Sequence, residues 1–410
     1  MRNRDGWRLL AEGRAVATGV RRAGEVTDAV GARTFLHAGP PLGQDDPPGP
    51  MRGALLGALV LEGEAGDLRA AGELLDSGGL TLLPCHSAGG VGAMAGVVSP
   101  ATPVVEVTGE DGRTAFAPLN EGLGEALRFG STNGRVLARL RWMGDVLAPV
   151  LDAALKSEGG VDITALQAEG LRRGDECHNR NVAATAALVA RLAPAVVRVS
   201  PDADTAAAVL EFLAGNPHTF LAFSMAAAKV LGDAAHGAHD TRGLVTAMCA
   251  NGRTLGLRVS GVDGWFTSPA PVGEPKVFPG FTVADACPAM GDSFITETVG
   301  LGAFALTAAP AISSFIGGTH DEAVALVGAM RRICRGSSGR FLIPFDGFRG
   351  TPVGIDVGLV CRTGITPVVN NGFAHREAGR GQVGAGITRL PIEPFLKARD
   401  ALAVSAGNPG

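Results

Sequence analysis

The chain of 410 residues contains no tyrosine, so any mechanism that needs a phenol is excluded. Its six cysteines stand at 85, 177, 249, 287, 334 and 361, with no CxxC or CxxxC pair among them. That spacing excludes a zinc ribbon and a thioredoxin motif, and points to reduced, mostly buried thiols in a cytoplasmic protein. Lysine supplies only four of the 36 basic residues, so arginine is the default cation and a single Arg is a weak pointer to function. The formal net charge of −4 gives no global basic field, which argues against nucleic acid or an anionic membrane as partner. The N-terminal stretch MRNRDGWRLLAEGRAVATGVRRAGEV has no apolar core of the kind a secretory signal needs. The longest weakly polar run, Val299–Ile312, is too short to span a bilayer and holds Pro310.

A hydrophobic share of 46% against 19% charged residues excludes a disordered chain. One core rarely organises more than about 250–300 residues, so two or three domains are expected. The 60 glycines follow no collagen period and point to tight turns and close backbone approaches. The expected fold is multidomain, α/β and α+β: an N-terminal α/β domain over 1–119, a mostly helical subdomain over 120–240 and a Gly-rich α+β domain over 241–410. Residues 1–30 read as an amphipathic helix and a linker, Arg33–His37 as a strand, Gln44–Pro50 as a loop and Met51–Glu64 as a buried helix. Leu80–Pro84 reads as a strand running into a loop over Cys85–Gly96, followed by a strand pair at Thr102–Val107 and Arg113–Pro118. Helical periodicity covers Val136–Ala154, Ile163–Leu192 and Asp202–Leu213; strands return at Arg258–Val262, Val277–Phe281 and Phe341–Ile343.

Five constellations carry the polar chemistry. His37 ends a strand ahead of a Gly-Pro turn, a place where it either serves a site or caps the turn. Pro84-Cys85-His86 leads into a glycine loop, Gly89–Gly96, whose N–H groups can face an anion; it is neither a Walker A sequence nor a clean dinucleotide fingerprint, because Gly90-x-Gly92-x-x-x-Gly96 is one residue too long. Cys85 and His86 are sequence neighbours on a strand end and point apart, which argues against a nucleophile–base pair. In Gly174–Asn181, helical spacing would place Asp175, His178 and Asn179 or Asn181 on one face and pair Glu176 with Arg180; a DxxH pattern alone is thin support for a metal. Asp292, Ser293, Thr296, Glu297 and Thr298 precede a Gly-rich apolar segment, a pattern suited to binding a carboxylate or phosphate; no GxSxG elbow surrounds Ser293. Gly364–Gly386 combines Asn370, Asn371, His375 and Gln382 with glycines, and His375 can act as acid, base or polariser.

The succession FLHAGPP, LLPCH, VGAMAG, NEGLGEALRFG, RWMGDVLAPVL, GDECHNRN, GDSFITET and GITPVVNNGFAHREAGRGQVGAG resembles the YahG/YlbE-like family over about Thr34 to Arg389. The resemblance implies a component of oxamate carbamoyltransferase from ureide and purine catabolism, acting beside a protein similar to acyl-CoA synthetases. The implied reaction moves the carbamoyl group of oxalurate, a small anionic ureide, to phosphate. It implies no cofactor beyond phosphate as co-substrate, leaves metal dependence open with no metal ligands assigned, and implies a homo- or hetero-oligomer. The site residues it suggests are His37, His86, Asn120, Glu121, Asp175, Glu176, His178, Asn181, Asn251, Arg258, Asp292, Ser293, Thr296, Glu297, Asn370, His375 and Gln382, with Gly90 and Gly92 in the anion loop. Within that set, His86 or His375 would polarise the carbonyl, Arg258 would neutralise one anion and the Gly89–Gly96 loop would cradle another. The chain departs from the family pattern at Ala222, Ala250 and Arg362, which leaves room for a different ureide or amide. Two rivals stand beside the transferase: an amidase that uses water in place of phosphate, and a non-catalytic subunit.

Overall fold

The computed structural model describes residues 6–43, 46–316 and 318–407; Gln44 and Asp45 of the expected loop lie outside them. The N-terminal region holds the short helix α1 (Arg8–Glu12) and strands β1 (Ala15–Arg22), β2 (Thr34–His37), β3 (Thr81–Pro84), β4 (Pro103–Gly109) and β5 (Thr114–Pro118). Helices α2 (Gly49–Leu61) and α3 (Leu68–Asp76) connect β2 to β3, which pair in parallel. The segment read as a leading helix is therefore helical only over Arg8–Glu12 and turns into strand over Ala15–Arg22. In β1 the small residues Ala15, Ala17 and Val20 are buried and Thr18 faces out, so a period near two wins over the helical reading. β1 lies inside an antiparallel sheet ordered β5-β4-β1-β6, closed by the two-residue strand β6 (Val161–Asp162).

The helical block comprises α4 (Gly134–Trp142), a π-turn over Met143–Leu147, α5 (Ala148–Ser157), α6 (Ile163–Arg172), α7 (Val182–Val199), α8 (Ala203–Gly215) and α9 (Thr219–His236). Asp162 and Asp202 cap α6 and α8 by accepting the N–H of Ala165 and Thr205. The single helix expected over Ile163–Leu192 is broken between 172 and 182. Gly174 has φ +97° and Cys177 φ +59°, left-handed values that no helix continues through. α7 is long and apolar enough to cross a membrane by length and composition alone, but it packs against α5, α6 and α8. α9 is buried along almost its whole length and touches β1, β4, β5, β7 (Val245–Asn251), α1, α6, α7 and α10 (Ile295–Thr298).

The C-terminal region contains an antiparallel sheet ordered β11-β7-β8-β9, with β8 (Thr254–Val259), β9 (Phe266–Pro269) and β11 (Met290–Gly291). A second sheet runs β10-β15-β14, with β10 (Glu274–Val277), β14 (Val368–Ala374) and β15 (Gln382–Arg389). The hairpin of β12 (Cys334–Ile343) and β13 (Arg349–Ile355) packs on α1 and α6. Helices α11 (Pro310–Phe315), α12 (His320–Arg331), α13 (Val357–Thr363) and α14 (Glu393–Gly407) complete the chain. The strands expected at Arg258–Val262 and Val277–Phe281 lie a few residues earlier, and β7 was unread because its seven residues are all buried and show no alternation. The result is a mixed α/β and α+β fold built of several small sheets.

Candidate functional site

Six separated segments converge on a narrow cavity of about 30 Å³, lined by Ala93, Met94, Arg128, Phe129, His178, Asn179, His218, Leu221, Ser293, Gly372 and Gln382. Asn179, His218 and Gln382 also line an open cleft of about 690 Å³, whose walls add Leu123, Phe278, Phe281, Phe315, Arg180 and Arg380. A polar pit at the base of a partly aromatic cleft is the usual shape of a small-molecule site. Met94 and Cys177, beside the pit, hold left-handed φ values of 55° and 59°, a strain that persists only where the surroundings enforce it.

His178 is the centre of the hydrogen-bond network. Its Nδ1–H donates to Glu297 Oε1 at 2.9 Å and Oε2 at 3.1 Å, which leaves Nε2 for the cavity. Burial lowers the imidazole pKa, but the charge and hydrogen bond of Glu297 outweigh it, and the net shift is upward. Glu297 is itself fixed: it accepts from Ala303 N–H at 3.1 Å, Asn370 N–H at 3.2 Å and the Thr296 hydroxyl at 3.0 Å. A carboxylate that orients a histidine and sets its tautomer is a recurring arrangement in acid–base catalysis. Asn179 Nδ2 donates to Asn370 Oδ1 at 3.2 Å, which ties β14 to the same network.

The loop 173–181 presents these groups by a route other than a helix. Asp175, Glu176, His178 and Asn181 do not share a helical face, and Glu176 makes no side-chain pair with Arg180. Glu176 instead folds back on its own loop and accepts the N–H groups of His178, Asn179 and Arg180. Burial raises its pKa to about 8 against the opposing pull of His178 and those N–H groups. Arg180 Nε lies 3.3 Å from Asp175 Oδ1, and Asp175 Oδ2 accepts Ala184 N–H at the start of α7. Asp175 therefore serves the helix terminus, with burial lifting its pKa to about 6. Asn181 donates to the His178 carbonyl and stays within the loop.

Arg128 forms the wall opposite. Its Nη1 donates to Asn120 Oδ1 at 2.6 Å and its guanidinium sits 4.8 Å over the Phe129 ring. Burial lowers its pKa to about 10, so it stays charged at neutral pH. Glu121 accepts the N–H groups of Leu127 and Arg128 and so shapes the turn that presents this arginine. Asn120 and Glu121 thus position Arg128 rather than face the pit. His218 lies on the rim; burial, with the charges of Arg128 and His178, lowers its pKa to about 3 and keeps it neutral. Arg128 and His218 carry no signal in the sequence pattern, whereas Asn179 stands in the 174–181 cluster as an alternative to Asn181. Arg128 stands inside the quoted NEGLGEALRFG, but the abundance of arginine hid it.

The glycine loop does cradle an anion, and the anion belongs to the protein. Asp292 is fully buried and accepts Gly39 N–H at 2.7 Å and Gly92 N–H at 2.8 Å. Burial raises its pKa to about 7, opposed by those two N–H groups and by Lys229. The N–H of Gly90 goes to the Cys85 carbonyl, so neither loop glycine is free for a ligand. His86 is buried, with neither ring nitrogen hydrogen-bonded, and does not line the pit. Burial and the nearby charges of Lys229 and Arg258 hold its pKa well below the usual value. Arg258 stands on β8 on that side of the molecule, away from the pit lining. His37 Nδ1 donates to the Ala38 carbonyl, and burial lowers its pKa to about 4. Asn251 closes a turn by accepting Arg253 and Thr254 N–H while donating to the Pro40 carbonyl. His375 accepts Glu377 N–H on Nδ1 and sits 3.7 Å from Asp285, which holds its ring in the loop 375–381. Of the residues named from the sequence, the pit gathers His178, Ser293 and Gln382 at its surface, with Glu297, Thr296 and Asn370 directly behind.

Residues 80–293 match the family described as oxamate carbamoyltransferase subunit AllG. The chain is 44% identical over 380 residues to the oxamate carbamoyltransferase subunit AllG of Escherichia coli (strain K12), covering 92% of this chain and 90% of that relative. It is 40% identical over 398 residues to the uncharacterized protein YahG of the same strain, covering 97% and 84%. A crystal structure of a conserved protein of unknown function from Enterococcus faecalis V583 superposes with a TM-score of 0.95 at 41% identity, covering 98% of this chain and 97% of that one. With 92% of its length aligned at 44% identity, the chain belongs to the AllG family of oxamate carbamoyltransferase subunits.

Proposed function

We propose that this chain is a catalytic subunit of a carbamoyltransferase that converts oxalurate and phosphate to oxamate and carbamoyl phosphate, with the pit around His178 as the site of transfer. The observation that carries the reading is the His178–Glu297 pair facing a cavity whose other walls bring Arg128, Ser293 and two amides. In the reaction a phosphate oxygen attacks the carbamoyl carbon. The new C–O bond forms as the C–N bond to the oxamyl nitrogen breaks. His178 Nε2 takes the proton from the phosphate hydroxyl and returns it to the departing nitrogen, so oxamate leaves as a neutral amide and His178 ends as it began. Glu297 stabilises the imidazolium between these steps. Arg128 holds an anionic oxygen of one substrate by charge and by its fixed fork of N–H groups. Ser293, Asn179 and Gln382 are the hydrogen-bond donors available to the carbamoyl oxygen as negative charge builds on it. No residue here is asked to transfer electrons.

The subunit works with partners, and a protein similar to acyl-CoA synthetases is the expected one. The deciding experiment supplies oxalurate to the chain, alone and co-expressed with its genomic neighbours, with and without phosphate. Carbamoyl phosphate is read as ATP through added carbamate kinase and ADP. Phosphate-dependent ATP that disappears in a His178→Gln complex of unchanged assembly is the expected result. Oxalurate consumption without phosphate would move the reading to an amidase. Full activity in the His178→Gln complex would place the chemistry in another subunit.

A further inference from the structure

A second cluster of reactive side chains includes Asp292 but does not line the pit, and it takes no part in the transfer scheme. His86, Cys249 and Asp292 each offer one ligand atom, and these atoms all lie within 4.8 Å of one another. His86 Nε2 is 3.6 Å from Asp292 Oδ1. All three residues are buried, at 4%, 0% and 0% exposure, and they come from three different segments: the turn after β3, strand β7 and the junction of β11 with α10. Two nitrogens of a buried imidazole without any hydrogen bond leave a desolvated donor set that a protein interior rarely tolerates. The Cys249 thiol is hardly better served, with a long hydrogen bond of 3.9 Å to the Gly256 carbonyl.

We propose that His86, Cys249 and Asp292 form a binding site for a single divalent metal ion of zinc-like softness. One nitrogen, one sulfur and one oxygen ligand with a fourth position open is the donor set of that class of ion. Around a tetrahedral ion with ordinary bond lengths such ligands stand roughly 3.4–3.6 Å apart. The His86–Asp292 separation already has that value, and the thiol needs to close by about 1 Å. A thiolate and a carboxylate neutralise a divalent ion; of the two cations near the cluster, Lys229 is already paired with Asp233 at 2.6 Å and Arg258 stands on β8. Gly39 and Gly92 N–H orient the Asp292 carboxylate, and Trp265 packs T-shaped against His86 at 5.3 Å between ring centroids. The metal would clamp β7 to the glycine loop, and the proposal stands whether or not the His178 pit performs carbamoyl transfer.

The test uses the full chain, dialysed after expression in zinc-replete medium, and measures bound metal by mass spectrometry. One equivalent of zinc is expected. Cobalt(II) added to the metal-free chain should then give a near-ultraviolet thiolate-to-cobalt absorption band, and Cys249→Ser should abolish that band and weaken zinc binding at least tenfold. Thermal melting of the wild-type chain should drop on chelation and recover on adding zinc, a readout that needs no variant to fold. Absence of retained zinc together with absence of the thiolate band in the wild-type chain would overturn the proposal. So would a band of equal strength in folded Cys249→Ser.

Discussion

Asp292 and Gly92 are bonded to each other in both directions: Gly92 N–H donates to the Asp292 carboxylate at 2.8 Å, and Asp292 N–H donates to the Gly92 carbonyl at 2.9 Å. Residues 200 positions apart are thereby held in one register, and each continues directly into the pit, Gly92 to Ala93 and Met94, Asp292 to Ser293. The geometry of the pit depends on this junction before any substrate arrives.

That dependence makes Gly39, the other donor to Asp292, a sensitive position. Its φ is +90°, and an added Cβ would meet the Ala250 carbonyl carbon and the Asn251 nitrogen at 2.6 Å. Gly39→Ala should destabilise the chain by about 3 kcal/mol in urea unfolding, from strain and backbone clash together. Gly43→Ala is the control: φ is +66° but nothing lies within 4 Å, so about 1 kcal/mol is expected.

The His178–Glu297 pair predicts a pH dependence with a definite sign. The base must be unprotonated to accept the phosphate proton, and its pKa is raised above 6.5. Glu297→Gln removes the charge that raises it, leaving burial to lower it. The rising limb of kcat/KM against pH should move to lower pH, while the plateau falls by on the order of 10². The pair also stabilises the folded chain in full below the ordinary histidine value, and that contribution fades as pH rises through the higher folded value. A limb that stays in place in Glu297→Gln would remove His178 from the role of base.

Arg128 predicts a split between binding and turnover. Arg128→Lys keeps the charge but loses the planar fork, so KM for phosphate or oxalurate should rise about tenfold or more with a smaller change in kcat. Circular dichroism should report an unchanged fold, since Asn120 and Glu121 can still satisfy an ammonium. Equal KM values for both substrates in the variant and the wild type would show that Arg128 touches neither.

Glu176 predicts the pH dependence of stability. Its carboxyl keeps its proton in the folded chain up to about pH 8, whereas the unfolded chain releases it near 4.5. The folded state therefore binds more protons across that window, and stability falls as pH rises through it. Glu176→Gln should flatten the decline in melting temperature over the same range. An identical decline in both proteins would mean that Glu176 is ionised when folded.

Much of the site was legible because its residues travel in polar clusters that precede apolar segments. His178, Ser293 and Glu297 stand out that way, and Asn370 and Gln382 through the density of amides and glycines in 364–386. What the sequence hid was how the clusters are turned. GDECHNRN carries helical spacing, yet Gly174 and Cys177 adopt left-handed angles and the segment becomes a loop in which Glu176 accepts three of its own N–H groups. The glycine loop carries the right composition for an anion, and only the fold reveals that Asp292, 200 residues on, is that anion. His86 and His375 were named for chemistry that any histidine can do, and neither faces the pit. In the fold, β1 was lost because Ala and Val at alternate positions in a charged stretch suit a helix as well as a strand, and pairing with β4 settles the choice.

Helix α9 has almost no face of its own. Sheet strands from the N-terminal part, helices of the middle block and β7 of the C-terminal part all rest on it. Such an element acts as a shared keel: none of its neighbours can leave without wetting part of a helix that has few side chains suited to water. Fragments made by cutting the chain on either side of it should therefore be poorly soluble apart and recombine when mixed, and its amides should be the slowest in the molecule to exchange with deuterium.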